Sequence, residues 1–227
     1  VVAHLDPNPQ VAGRGVEKLR AAVIDVVVLP SAHPLAQAAY ELNIGFMTRM
    51  EHQRVFTRMK WAQSADGKTA LPSGQSQWIT GEAARADGHH FRARADVLVS
   101  GIGTVLHDDP QLNVRGVGIV NPPIKCILDT WARLPLNARL WVDGAPVILV
   151  CAGVDAAHPQ AGLIGARIAL LQQQYPQLSV WRIPLLPKLV DEPDARADVI
   201  YERMNLALLW QRFYEAPFNE IHIEAGA

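Results

Sequence analysis

The sequence predicts an α/β layered domain with a largely parallel sheet, and two observations carry that prediction. From residue 55 onward, short apolar runs suited to strands alternate with segments of helical periodicity. One of these runs, 147–151, is continuously apolar, the pattern of a strand covered on both faces. Composition agrees. Hydrophobic residues make up 49% and charged residues 19%, which excludes a disordered chain.

In order, residues 1–5 read as a strand end and 6–9, Asp-Pro-Asn-Pro, as a turn. Residues 16–22 suit a short helix and the β-branched run 23–29 a buried strand. Residues 31–50 carry Leu35, Ala39, Leu42 and Phe46 at helical spacing and read as one helix. Beyond it come a strand at 55–59, a helix at 82–94, strands at 95–100, 124–129 and 147–151, and a helix at 163–175. A strand at 180–183, a helix at 199–214 and a strand at 221–224 complete the pattern, with a Pro-rich loop at 184–193.

The polar stretch that follows the first of these strands, residues 60–80, reads KWAQSADGKTALPSGQSQWIT. Asp66-Gly67 and Pro72-Ser73-Gly74 punctuate it as loop, and Thr80 is placed to cap the next helix. Loops on a rigid frame are where binding groups collect. A second loop candidate, Gly101-Ile102-Gly103-Thr104, lacks the third glycine of a dinucleotide fingerprint, since residue 106 is Leu. It can still form a turn whose backbone approaches a phosphate.

Net charge is −1, so no global field draws the chain to nucleic acid or an anionic membrane. An anionic ligand would need a local Arg cluster. The two cysteines, Cys126 and Cys151, sit singly in apolar runs, which points to buried thiols and away from zinc or redox chemistry. His89 and His90 are adjacent and diverge on a helix, and no Gly-x-Ser-x-Gly elbow occurs. No metal site is expected. No apolar run reaches membrane-spanning length and no signal-peptide pattern opens the chain, so a cytoplasmic location is expected.

Three blocks closely resemble the reductase half of the bifunctional riboflavin-biosynthesis deaminase–reductase family. The first is Lys60 with Ser64-x-Asp66-Gly67-Lys68-Thr69-Ala70 and Ser73-Gly74-x-Ser76-Gln77-Trp78-Ile79-Thr80. The second runs from Leu98-Val99-Ser100-Gly101-x-Gly103-Thr104 through Asp108-Asp109-Pro110-x-Leu112-x-Val114-Arg115. The third is Ile127-Leu128-Asp129-Thr130. The resemblance implies a dihydrofolate-reductase-like fold, NADPH as cofactor and a phosphoribosylaminouracil as substrate. By matching position it implies cofactor contacts at Ala62, Trp78, Thr104, Asp108, Thr130 and Gly226. Substrate contacts fall at Ser76, Arg92, Leu112, Arg115 and Glu224, with Arg suited to phosphate by its bidentate fork. Lys60 and Glu224 would stand at the ribose end as the catalytic pair, supplying or orienting the proton balance of the reduction. Asp66 also matches, although a turn accounts for it.

Residues 6–15 resemble the tail of the family's deaminase domain, so residues 1–52 read as a remnant of that domain with a linker helix, and 53–227 as the reductase domain. Neither the His-x-Glu nor the Pro-Cys-x-x-Cys zinc motif occurs, so deamination is not expected of this chain. Val23 stands where relatives often place Gly after the helix, which weakens that cap. The start at Val1 and the stop at Ala227, directly after a strand, read as cuts through a longer protein. Two other functions stay open here: a nucleotide-binding remnant without turnover, and a pterin-type reductase of the same fold. Whether a homodimer forms is also open.

Overall fold

The computed structural model describes residues 1–76, 78–119, 121–186 and 203–224. Within them, six strands form one sheet: β1 (Phe56–Lys60), β2 (Val97–Gly101), β3 (Ile124–Leu128), β4 (Val147–Ala152), β5 (Leu178–Ile183) and β6 (Glu220–Glu224). Their spatial order is β1-β6-β2-β3-β4-β5, and every pairing is parallel. A parallel sheet must be covered on both faces, and the inner strands show it. All six residues of β4 are buried, as are Val97, Leu98, Val99 and Ser100 of β2.

Each face carries its own core. On one, Leu98, Ile127 and Leu149 pack with Ile102 and Val105 of α5 (Ile102–Asp108) and with Ile164 and Ile168 of α6 (Ala161–Gln174). On the other, Val97, Val99, Cys126, Val150 and Ile221 meet Leu209 and Phe213 of α7 (Leu206–Glu215). Alternate residues of one strand therefore serve opposite cores, as the strand period requires. Each such Leu or Ile contributes about 1.5–3 kcal/mol by leaving water. Both cysteines are free and buried, and burial raises both thiol pKa values.

The helix α4 (Glu82–Arg94) links β1 to β2 and packs on β6. Ahead of β1 in the chain come α1 (Arg14–Ala21), α2 (Pro34–Leu42) and α3 (Ile44–His52), and α3 packs on β1 and α2.

Four local expectations are corrected. Residues 23–29 do not join the sheet; Val28 makes one isolated bridge to Val2, and Val27 stays half exposed. No strand edge is presented to that segment among the described residues, so β-propensity finds no ladder. Val23 itself takes φ +60° and is 93% exposed, an uncomfortable conformation for a β-branched residue. The helix expected over 31–50 is two helices, because Asn43 leaves helical geometry and its amide bonds back to Ala39 O. Thr80 does not cap α4 by its side chain: Gly81 is the N-cap, and Arg85 donates to Thr80 O at 2.5 Å. Finally, residues 101–104 form no loop. Gly101 ends β2 and α5 begins at once with Ile102. The helix expected over 199–214 is seen from Leu206 on; residues 199–202 lie outside the described ones.

Candidate active site

In an open parallel sheet, ligands gather outside the carboxyl ends of the strands. The sequence motifs converge on that edge. Lys60 ends β1 and is the register partner of Glu224, which ends β6. Gly101, the last residue of β2, pairs with Leu128 of β3, with Thr130 two residues beyond. Ser100 ties β2 to this edge by donating its hydroxyl to Glu224 O at 2.8 Å.

The centre of the edge is a clamped ion pair. From the last turn of α4, Arg92 Nε donates to Glu224 Oε1 at 2.5 Å and Nη2 to Oε2 at 2.6 Å. The two side chains are only 15% and 14% exposed, so their attraction is weakly screened. The third guanidinium nitrogen, Nη1, donates to Asn113 O at 2.8 Å and anchors the loop after α5. Burial alone would raise the Glu224 pKa. The Arg92 hydrogen bonds, with the His222 contact and the Arg92 charge behind them, outweigh it and hold the carboxyl well below the usual range. Glu224 is thus ionised at any working pH, an acceptor and charge partner and not a proton donor.

Arg115 joins the cluster through its backbone, whose N–H donates to His89 Nδ1 at 3.2 Å. Its guanidinium is exposed and carries no ion pair among the described residues. Burial first, then the Arg92 and Arg115 charges, lower the His89 pKa, so this face of α4 is a cationic pocket edge with a neutral imidazole beside it. Leu112 departs from the simplest reading. Its side chain is 3% exposed and belongs to the core, and its φ is +50°. Only its backbone can meet a ligand, held in a conformation that packing must enforce.

Residues 55–227 match the family profile described as the RibD C-terminal domain. The chain belongs to the RibD C-terminal domain family. The riboflavin-biosynthesis family expected from the three blocks is the one found, and the expected layered fold stands with it. Among curated RibD proteins, that of Aquifex aeolicus is 42% identical over 151 residues, 66% of this chain and 41% of the relative. That of Escherichia coli is 46% identical over 117 residues, 51% of this chain and 30% of the relative. Among solved structures, a Thermotoga maritima protein described as a diaminohydroxyphosphoribosylaminopyrimidine deaminase/5-amino-6-(5-phosphoribosylamino)uracil reductase is 26% identical. Its TM-score is 0.69, with 99% of this chain and 52% of that one covered. Acinetobacter baumannii RibD is 32% identical with a TM-score of 0.67, covering 98% of this chain and 53% of that one. The chain therefore spans about two fifths of the length of the curated RibD relatives it matches.

Beside the ion pair, the RibD-type fold sets out a second polar group. Thr104 and Asp108 lie one turn apart on α5, and Thr130 follows β3 with its carbonyl accepting from Ala152 N at 2.9 Å. Asp108 also accepts from His107 Nδ1 at 2.8 Å. A Cβ at Gly101 or Gly103 would meet nothing within 4 Å, so bare backbone faces open space here. Two threonine hydroxyls and an open glycine backbone stand at the carboxyl ends of β2 and β3, chemistry that suits a phosphate better than a metal.

Not every expected residue comes together. Ala62, two residues past β1, is half-buried at the same edge. Ser76 and Trp78 stand between β1 and α4, and no hydrogen bond or ion pair joins either to Arg92 or Arg115 among the described residues. Trp78 instead lies under Arg85, 4.6 Å from ring centroid to guanidinium. Asp66 is spent on its turn, accepting from Ser64 Oγ at 2.5 Å. Gly226 lies outside the described residues.

Three polar residues support the site although the sequence pattern assigns them no role there. His89 was dismissed as a metal ligand, yet it is the acceptor that seats Arg115. Asp129 is fully buried; its Oδ2 accepts from Leu134 N at 2.8 Å and so shapes the turn that carries Thr130. His222, also fully buried, lies with Nε2 3.3 Å from Glu224 Oε1, although neither ring nitrogen makes a hydrogen bond. The period-two spacing of His222 and Glu224 in an Ile-flanked strand was the available signal.

Proposed function

We propose that this chain reduces 5-amino-6-(5-phosphoribosylamino)uracil to its ribitylamino product with NADPH, a cytoplasmic step of riboflavin biosynthesis. The observation that carries this reading is the Arg92–Glu224 pair at the carboxyl edge, flanked by Lys60 in register and by the exposed guanidinium of Arg115, which carries no ion pair among the described residues. A phosphorylated sugar needs that combination: cations for the phosphate and a carboxylate for the hydroxyls.

Arg115 meets the phosphate with a bidentate fork. Ser76 adds a hydroxyl from the loop after β1. Glu224, ionised, accepts from the sugar hydroxyls and fixes C1 at a stated place, which converts binding into orientation. Lys60 Nζ, on the neighbouring strand, is the group able to deliver the single proton that balances reduction of the opened C1–nitrogen bond. Ala62, Trp78, Thr104, Asp108 and Thr130 would hold the dinucleotide, which when bound supplies the hydride.

The test is anaerobic incubation of the chain with NADPH and the phosphoribosylaminouracil. The expected result is one NADPH consumed per product, whose mass is greater by two hydrogens. No NADPH binding, or turnover of dihydrofolate in place of the uracil, would contradict the reading.

A further inference from the structure

A fully buried histidine whose ring makes no hydrogen bond, its one polar contact being Nε2 to Glu224 Oε1 at 3.3 Å, is costly in a strand where its neighbours are Ile221 and Ile223. An apolar residue at position 222 would avoid that cost. The ring is boxed in by Phe91 of α4, stacked at 6.3 Å and 19°, and by the register partners Arg58 on β1 and Leu98 on β2. Arg58 itself is turned away, its guanidinium 4.5 Å over the Phe91 ring and 3.5 Å from Glu220. The polar group the His222 ring does face is Glu224 Oε1, at 3.3 Å.

Meanwhile Arg92 is fully engaged. Nε and Nη2 hold Glu224 and Nη1 holds Asn113 O. An anion arriving beside Arg115 can recruit Arg92 only by taking it from Glu224. That would strip a carboxylate just 14% exposed of two charge-assisted bonds. A second donor at Oε1 removes most of that penalty, and His222 Nε2 is the one in reach.

We propose that His222 is a positioning residue in an ion-pair exchange: as Arg92 turns from Glu224 to the substrate's phosphate, His222 Nε2–H donates to Glu224 Oε1 and keeps the carboxylate in place. This rests on the phosphorylated-sugar reading above. The exchange explains how one arginine serves both to organise the free site and to bind the ligand.

Ribose 5-phosphate is the probe, titrated into the full chain with its histidine rings labelled with ¹⁵N. Binding is registered at the Ser76 and Arg115 amides. The expected result is a His222 Nε2 resonance that moves to a hydrogen-bonded N–H on binding. Kd is expected to weaken about tenfold in His222→Phe, which keeps the stack, and less than about threefold in His222→Gln, which keeps a donor. Binding without any change at His222, or equal Kd values in both variants and the parent, overturns the exchange alone. No binding of ribose 5-phosphate overturns it together with the reading of the site.

Discussion

Replacing Glu224 with Gln keeps the shape of the side chain and removes its charge, leaving Arg92, only 15% exposed, with neutral carbonyl partners alone. One of the two short hydrogen bonds becomes an opposition of N–H groups. Breaking a buried pair from one side costs about 3–5 kcal/mol. The site lies at a sheet edge, where residual exposure and water cut that to about 2–3 kcal/mol. For a chain of this size the Tm would fall by roughly 5–10 °C. Differential scanning calorimetry of Glu224→Gln, Arg92→Met and the double variant measures it. The double variant is expected to lose less than the sum of the singles by about 1–3 kcal/mol, because the second change removes a charge already orphaned. The pH sign follows from the depressed pKa of Glu224 in the folded state. Its contribution is fully present above its unfolded value near 4.5 and is lost as pH falls toward the folded value. The gap between parent and Glu224→Gln should stay flat from pH 8 to about 5 and shrink below about 4.5. A gap under about 0.5 kcal/mol, additive singles, or a gap indifferent to acid would refute the reasoning.

Other outcomes follow from the same geometry. Arg115→Ala should leave stability within about 0.5 kcal/mol, since the side chain is exposed, yet weaken ribose 5-phosphate binding about tenfold or more by isothermal titration. Val23→Gly should raise stability by about 1 kcal/mol in chemical denaturation, because φ +60° suits glycine and strains valine. Burial raises the Asp129 pKa against the pull of Leu134 N–H and Arg133, so the folded state favours its protonated form. Stability from that group therefore falls as pH rises through the folded pKa. Asp129→Asn, which keeps an acceptor for Leu134 N, should gain on the parent as pH rises from about 4 to 7, followed by Tm. A loss of more than about 1 kcal/mol at neutral pH would contradict it.

The sheet was legible because burial on two faces writes itself as apolar runs: the strands expected at 147–151 and 95–100 stand as β4 and β2, within two residues at each end. The amino-terminal elements were misread where local pattern lacked a tertiary partner. Residues 23–29 have strand propensity but no strand beside them, and propensity counts only when side chains pack. Asn43 divides a helix that periodicity alone runs together. At the site, the Arg and Glu types were readable, but their mutual engagement was not. Arg92 and Glu224 are 132 residues apart, and nothing local records that one occupies the other. Leu112 shows the same limit from the other side: its motif position is right, while its side chain turned out to be core.

The central claim is that this edge recognises a phosphorylated sugar and presents its C1 for reduction. The direct test is the ratio of kcat/KM for the phosphorylated substrate to that for its dephosphorylated counterpart, measured with NADPH in the parent and in Arg115→Ala. A parent preference of about a hundredfold, cut at least tenfold in the variant, is expected from two charge-assisted hydrogen bonds to phosphate. Equal rates on the two substrates, or a preference that survives loss of the guanidinium, would contradict it.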